Sequence, residues 1–315
     1  TESLRFGATC NPWNTAYSTG GSSGGSSALV ASGVIPIAHA NDGAGSIRIP
    51  ASCCGLVGLK ASRGRIKDKE VPGYLPANIL HDGVVTRSVR DTWAFHAEIE
   101  KNIPATEFPP IGDISESFPK NLKIAVLTEN CLGEDSSAEL VQATHDVARL
   151  CESLGHEVEM ISNPFYKKFD EDFWLLWAHF GFLIRYSVGK ELSSKFDHTQ
   201  LEQWPKYLIS RHWRNIHKVP VAFWRLRRFV SQYETFMQNF DILLTPTLGT
   251  TVPKLGFFGP EVSGQEHWER INDFLPFTKY QNISGAPAIT LPCGTDLKGL
   301  PIGIQLSSRL GEDRL

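Results

Sequence analysis

The strongest periodicity in the chain lies at SSAELVQATHDVARLCESLG, residues 136–155. Apolar and polar positions alternate there at helical spacing, Ser136 and Glu139 have the separation of a capping box, and Gly155 supplies a stop. Short apolar runs flank this helix: LKIAVLTEN, residues 122–130, and HEVEMIS, residues 156–162. Both read as strands. A strand, a helix and a strand in succession predict α/β layering.

Other segments are assigned in the same way. SSALVASG (26–33) is a short run of small residues able to form a helix, with Ser18, Ser26 and Ser27 as candidate caps. IPIAHA (35–40) reads as a buried strand that places His39 in the core as a hydrogen-bonded residue. The turn NDGAGS follows, then IRIPASCCG (47–55) as a short helix. GLVGLKASRGRI (55–66) reads as glycine-punctuated turns. Residues 82–100, DGVVTRSVRDTWAFHAEIE, begin as a loop and continue as a helix; residues 99–119 form a Pro-rich surface connection. DILLTPT (241–247) is a buried strand. NISGAPAITLPCG and GLPIGIQLSS are two strands joined by a turn at residues 296–299. Residues 165–240 hold five tryptophans, among them Trp174 and Trp177, within helical patterns. Arg225, Arg227 and Arg228 read as a solvated helix face.

Composition narrows the picture. The 315 residues are 41% hydrophobic, enough for one large domain or two small ones. A formal net charge of −3 gives no electrostatic footprint for nucleic acid, and no apolar run approaches the ~20 residues of a membrane span. Six scattered cysteines, Cys53 and Cys54 adjacent, fit reduced thiols in a cytoplasmic protein better than a disulfide framework. None of the ten histidines pairs with cysteines at zinc-site spacing, so no metal is expected.

The candidate chemistry lies in two small-residue stretches. TGGSSGGSS, residues 19–27, is followed by a buried strand, unlike a linker, and it lacks the GK[ST] ending of a phosphate loop. The turn NDGAGS, residues 41–46, precedes a helix start. Small residues there leave successive backbone N–H groups open to a substrate oxygen, and the helix terminus favours negative charge. Fixed donors of this kind meet the requirement for an oxyanion hole. Ser46 at the end of the turn is a candidate nucleophile, in need of a proton acceptor. Asp42 and Arg48 are near enough to form an ion pair that shapes the turn.

Residues 7–66 resemble the amidase signature family of serine hydrolases. The resemblance is carried by GGSSGGS and NDGAGSIRIPASCCGLVGLKASRGRI, with weaker echoes in DGVVTRSVRD, DILLTPT, NISGAPAITLP and GLPIGIQL. It implies a single three-layer α/β/α domain around a mixed sheet, with residues 165–240 as a variable helical region covering the substrate. It implies a triad of Ser46 as nucleophile, Ser22 as a bridging serine on a cis peptide bond, and a lysine. The N–H groups of Gly43, Ala44, Gly45 and Ser46 match the oxyanion donors, and Ser23 is expected to support the loop.

In the reaction so implied, a neutral lysine takes the proton of the bridging serine, which takes that of Ser46. Ser46 attacks the amide carbonyl, the amine leaves, and water releases the acyl group. Neither metal nor cofactor is involved. The family's lysine lies many dozens of residues before the glycine-serine loop, yet only 21 residues precede Ser22 and none is lysine. Lys60, after the nucleophile, is not given the role. The domain is therefore expected to be incomplete over residues 1–315, without the lysine segment and the C-terminal end.

The implied substrate is a small carboxamide, linear or cyclic. Trp174, Trp177 and Phe180 are either core or the roof of the substrate pocket. A homodimer is compatible with this picture. Two alternatives stand beside it. One is the A subunit of a tRNA-dependent amidotransferase, against which the phrase ASRGRIKDKEVPGY speaks. The other is an inactive, amidase-like binding protein. Cys53 and Cys54 are expected to be small core residues.

Overall fold

The computed structural model describes residues 2–66, 78–103, 107–112, 119–189 and 193–315. Most of the phrase at 61–74 and parts of the Pro-rich connection (104–106 and 113–118) lie outside the described residues. Two short hairpins open the chain: β1 (Glu2–Ser3) with β2 (Gly7–Ala8), and β3 (Cys10–Asn11) with β4 (Asn14–Ser18). The remaining strands are β5 (Ile37–Asp42), β6 (Val57–Lys60), β7 (His81–Thr86), β8 (Lys123–Val126), β9 (Glu157–Met160), β10 (Ile242–Pro246), β11 (Ala288–Thr295) and β12 (Pro301–Ser307). They form one eight-stranded sheet in the order β5-β7-β6-β11-β12-β10-β8-β9. β8 is parallel to both β9 and β10, and all the other pairings are antiparallel, so the sheet is mixed as expected.

Nine α-helices accompany the sheet among the described residues: α1 (Gly24–Ala31), α2 (Arg48–Cys54), α3 (Val89–Asn102), α4 (Ala138–Ser153), α5 (Phe169–Leu183), α6 (Gln203–Asn215), α7 (Val219–Met237), α8 (Gly264–Phe274) and α9 (Lys279–Ser284). α2 presses on one sheet face, where a Cβ at Gly58 would lie 2.8 Å from Ala51 Cβ. Leu59, on the opposite face, lines a cavity with Val89 and Thr92 of α3. Successive strand residues point to opposite faces, so helices cover the sheet on both sides. Among the described residues no helix is long and apolar enough to cross a membrane.

Several sequence-based expectations are corrected. Residues 57–60, read as turns, form β6 in the middle of the sheet, and residues 82–86, within the stretch read as beginning with a loop, belong to β7. Both strands are covered by neighbours, so their side chains show no clean polar alternation. Residues 279–284 are helical, so the NISG phrase ends α9 rather than opening β11. The capping box at α4 is not made: the N-cap is Ser137 without a side-chain bond, and Ser136 Oγ donates to Thr128 O. At α1 the N-cap is Ser23, again without a capping bond; Ser26 Oγ instead donates to His39 O. His39 is no core residue. Its side chain is 73% exposed and its Nε2 lies 3.0 Å from Asp82 Oδ1. Arg225 leaves the solvated face to pair with Asp172.

Residues 165–240 are built from α5, α6 and α7, with Asp170, Glu171 and Asp172 in the first turn of α5, where the helix dipole favours negative charge. Phe165, Phe169, Phe229, Tyr233 and Tyr280 form a buried aromatic cluster that joins α5, α7 and α9.

Candidate active site

The end of β5 delivers Asp42 into the interior, and the chain then turns through residues 43–47 into α2. Asp42 and Arg48 are fully buried and paired twice over: Nε to Oδ2 at 2.9 Å and Nη2 to Oδ1 at 2.9 Å. The remaining guanidinium hydrogens are also satisfied. Nη1 donates to Gln305 Oε1 at 2.7 Å and to Gln281 Oε1 at 3.2 Å; Nη2 donates to Asn282 Oδ1 at 2.7 Å. Asn282 Nδ2 in turn donates to the backbone and side-chain oxygens of Asp42. Burial alone would raise the Asp42 carboxyl, but the Arg48 charge and these hydrogen bonds hold it well below the usual carboxylate range. The ion pair expected between Asp42 and Arg48 is present, within a larger buried network.

The network sets the turn. Asp42 Oδ1 accepts from Gly45 N at 2.7 Å, and Oδ2 accepts from Ile47 N at 3.3 Å. Gly45 therefore differs from the expected oxyanion set, because its N–H is committed to a carboxylate. The N–H groups of Gly43, Ala44 and Ser46 make no hydrogen bond to any described residue. Ser46 is half-buried at the edge of this turn.

The glycine-serine loop reaches the same strand end. Ser23 Oγ accepts from Asn41 N at 3.2 Å and lies 3.4 Å from Asn41 O, to which it donates, one residue before Asp42. This is the supporting contact expected of Ser23. The peptide bond between Gly21 and Ser22 is cis. Ser22 is exposed, and neither its hydroxyl nor that of Ser46 hydrogen-bonds to a described residue, so the relay bond between them is not formed. Catalytic hydrogen bonds are often long in sites without substrate.

The three aromatic candidates separate. The Trp177 ring lies against Gly43, where a Cβ would come within 3.0 Å of its edge, and Phe180 packs edge-on to Trp177 at 6.1 Å. Leu80 closes the same spot, 2.9 Å from that Cβ position. Trp174 belongs to the core: it is 2% exposed and its Nε1 donates to Asn272 Oδ1 at 2.6 Å. Lys60 is fully buried, and its Nζ donates to Ala61 O at 2.9 Å, away from both serines' hydrogen bonding. Burial, reinforced by the Arg48 charge, pulls its pKa down to about 7. Cys53 and Cys54, in the last turn of α2, are buried as expected. Sequence reasoning missed Thr278, Gln281 and Gln305. Thr278 Oγ1 donates to Ala44 O at 2.7 Å; the only sequence signal near it is the family echo that starts at Asn282.

Comparison with known proteins shows the family of the chain. The family model described as Amidase matches residues 1–315, and the chain belongs to that family. The chain is 42% identical over 315 residues to a putative amidase AmiC of Mycobacterium bovis; the match takes in all of this chain and 66% of that protein's length. It is 33% identical over 344 residues to a 6-aminohexanoate-cyclic-dimer hydrolase of Paenarthrobacter ureafaciens, covering all of this chain and 68% of the relative. Among solved structures, a 6-aminohexanoate cyclic dimer hydrolase complexed with substrate superposes with a TM-score of 0.82 at 30% identity, over 99% of this chain and 69% of that one. The α/β fold around a mixed sheet is thus shared with amidase signature enzymes. The chain spans somewhat less than two thirds of the length of the AmiC proteins it matches.

Proposed function

We propose that the complete gene product hydrolyses a carboxamide C–N bond through an acyl intermediate on Ser46. The reading is carried by one observation: three backbone N–H groups, those of Gly43, Ala44 and Ser46, stay unpartnered among the described residues at the half-buried serine, while Gly45 between them is tied back by Asp42. Unpaired donors at a turn that is itself rigid cost nothing to reorganise when negative charge develops on a carbonyl oxygen. Ser46 attacks the carbonyl carbon, and its proton passes to Ser22 and on to a base. The oxyanion gathers at the three N–H groups. Collapse expels the amine, and water then attacks the acyl-serine.

The base implied by the family resemblance is a lysine preceding the glycine-serine loop, and none of residues 1–21 is lysine. Lys60 is directed at backbone carbonyls and is not assigned that part. Trp177, Phe180 and Leu80 supply an apolar wall beside Gly43, which suits an uncharged acyl chain. A small linear or cyclic amide fits this wall, in keeping with the cyclic amide acted on by the 33%-identical relative. All six cysteines are free, which supports a cytoplasmic location.

The test is covalent labelling of the complete gene product with a fluorophosphonate, which requires an activated serine. Labelling is expected to vanish in Ser46→Ala and to persist in Cys54→Ala. Equal labelling of the two variants, or none of the parent protein, removes the assignment.

A further inference from the structure

The turn at residues 42–48 is gripped from a distant part of the chain. Thr278 and α9 lie more than 230 positions later, yet Gln281 and Asn282 hold Arg48, Asn282 holds Asp42, and Thr278 Oγ1 donates to Ala44 O at 2.7 Å. Thr278 is fully buried, so no solvent competes for its hydroxyl. It occupies the N-cap position of α9 with helical backbone angles and makes no side-chain capping bond. Its hydroxyl is therefore not consumed by the ordinary task of a threonine at a helix start.

The peptide group between Ala44 and Gly45 is held at both polar atoms. Its carbonyl accepts from Thr278, and its N–H donates to Asp42 Oδ1 at 2.7 Å. Turning this peptide plane would break both bonds at once. The free N–H groups of Ala44 and Ser46 belong to the peptide units on either side, so their directions follow from the plane between them. Gly45, with φ of +112° and no Cβ, imposes little torsional restraint of its own. Asp42 supplies one restraint from within the turn, and the second comes from outside it.

We infer that Thr278 is a positioning residue for the oxyanion-binding turn, fixing the Ala44–Gly45 peptide so that the N–H groups of Ala44 and Ser46 converge on the reacting carbonyl oxygen. The inference rests on the hydrolytic reading of Ser46. Asp42 alone leaves the carbonyl end of the clamped peptide free, and Thr278 supplies the second point.

The experiment compares Thr278→Val, Thr278→Ala and Thr278→Ser in the complete gene product. The readout is the rate at which a fluorophosphonate modifies Ser46, measured at saturating and sub-saturating probe across pH 6–9. Loss of a donor that binds an oxyanion directly costs ~10²–10³ in rate; an indirect support is expected to cost less, about tenfold. Val and Ala should slow the saturated rate by that factor with little change in apparent probe affinity. Ser, which keeps the hydroxyl, should stay within about threefold of the parent, and no variant should shift the pH midpoint, since Thr278 does not titrate. Thermal midpoints identify a misfolded variant, and the Ala variant replaces Val if Val fails to fold. Parent-like rates in Val and Ala, or Ser as slow as Val, overturn the inference alone. Failure of the parent protein to label at Ser46 overturns the hydrolytic reading and this inference with it.

Discussion

Arg48 and Asp42 face one another across a fork of two 2.9 Å hydrogen bonds, both side chains wholly out of solvent. A buried pair of this kind does not by itself argue for stability, because each ion has lost its hydration. Removing one partner is another matter, since the survivor is left charged and unpaired. Arg48→Ala is expected to destabilise the fold by about 3–5 kcal/mol, read as a drop in the urea midpoint at pH 7. Arg48→Lys should recover only part of this loss, because a lysine cannot reach Asp42, Asn282 and Gln305 together. A variant with an unchanged midpoint would show that the network contributes nothing net.

The same pair fixes an acid response. The Asp42 carboxyl titrates lower in the folded chain than its ordinary value of about 3.9. Its contribution is therefore complete above pH ~4 and is lost as pH falls through the depressed folded value. Between pH 5 and 8 this group adds no slope. Below pH 4 the parent protein should lose stability steeply, and Asp42→Asn should show a shallower loss over the same range. Parallel acid-unfolding curves for the two proteins would contradict the assignment.

Lys60 gives a slope of the same sign, stability rising with pH, but at the other end of the scale. Burial lowers its folded pKa to about 7, against ~10.4 in an unfolded chain. Below pH 7 both states bind the proton, and the folded state bears the full cost of a buried charge. From pH 7 toward 10 the unfolded state binds more protons, so stability should rise with pH by up to about 1.4 kcal/mol per unit from this group. Lys60→Met should remove that rise. Urea unfolding of both proteins at pH 7, 8 and 9 provides the check, and identical pH dependence in the two would mean that Lys60 stays charged in the fold.

What could be read from the sequence follows from distance along the chain. Asp42, Ser46 and Arg48 fall within seven residues, so the ion pair of Asp42 with Arg48 and the turn it shapes were visible in a short phrase. The grip of Thr278, Gln281, Asn282 and Gln305 on that turn is made across more than 230 positions, and nothing in the spacing of those residues announces it. The commitment of the Gly45 N–H to Asp42 was hidden for a different reason. A run of small residues shows that N–H groups can be approached, not which of them a nearby carboxylate has already taken. β6 and β7 escaped because Gly58 and Gly83 interrupt their apolar runs. The strands nevertheless hold, since glycine lets α2 approach β6 and the sheet supplies partners on both sides.

Trp177 should govern which acyl groups are accepted. A Cβ at Gly43 would lie 3.0 Å from the Trp177 ring and 2.9 Å from Leu80, so the two side chains bound the space beside one of the free N–H groups. Trp177 also stacks on Phe173, at 6.0 Å, which locks the ring from behind. Trp177→Ala is expected to lower kcat/KM for short-chain amides by ~100-fold through lost contact, and to raise it for amides with a bulky aryl acyl group. One missing methylene-sized contact in an apolar pocket changes selectivity by ~10–200-fold, and a whole indole lies toward the upper end of such effects. A uniform loss across all chain lengths, with no change in rank order, would place Trp177 in the core rather than at the substrate.

Gly45 offers a test that separates the shape of the turn from its chemistry. A Cβ at this position would sit 2.5 Å from Thr278 Oγ1 and 2.7 Å from Ile49 Cδ1, and the φ of +112° lies in a region that side chains disfavour. Gly45→Ala should thus push Thr278 away from the Ala44 carbonyl and twist the peptide that precedes Ser46. The fold as a whole has no reason to collapse, because Asp42, Arg48 and Asn282 remain able to meet. The expected result is a folded protein, by circular dichroism, with a thermal midpoint lowered by several degrees and Ser46 labelling slowed at least as much as in Thr278→Val. Combining the two substitutions should add little further slowing, since both act on one peptide plane and coupled sites are non-additive. Multiplicative effects in the double variant would instead mean that Gly45 and Thr278 influence Ser46 by separate routes.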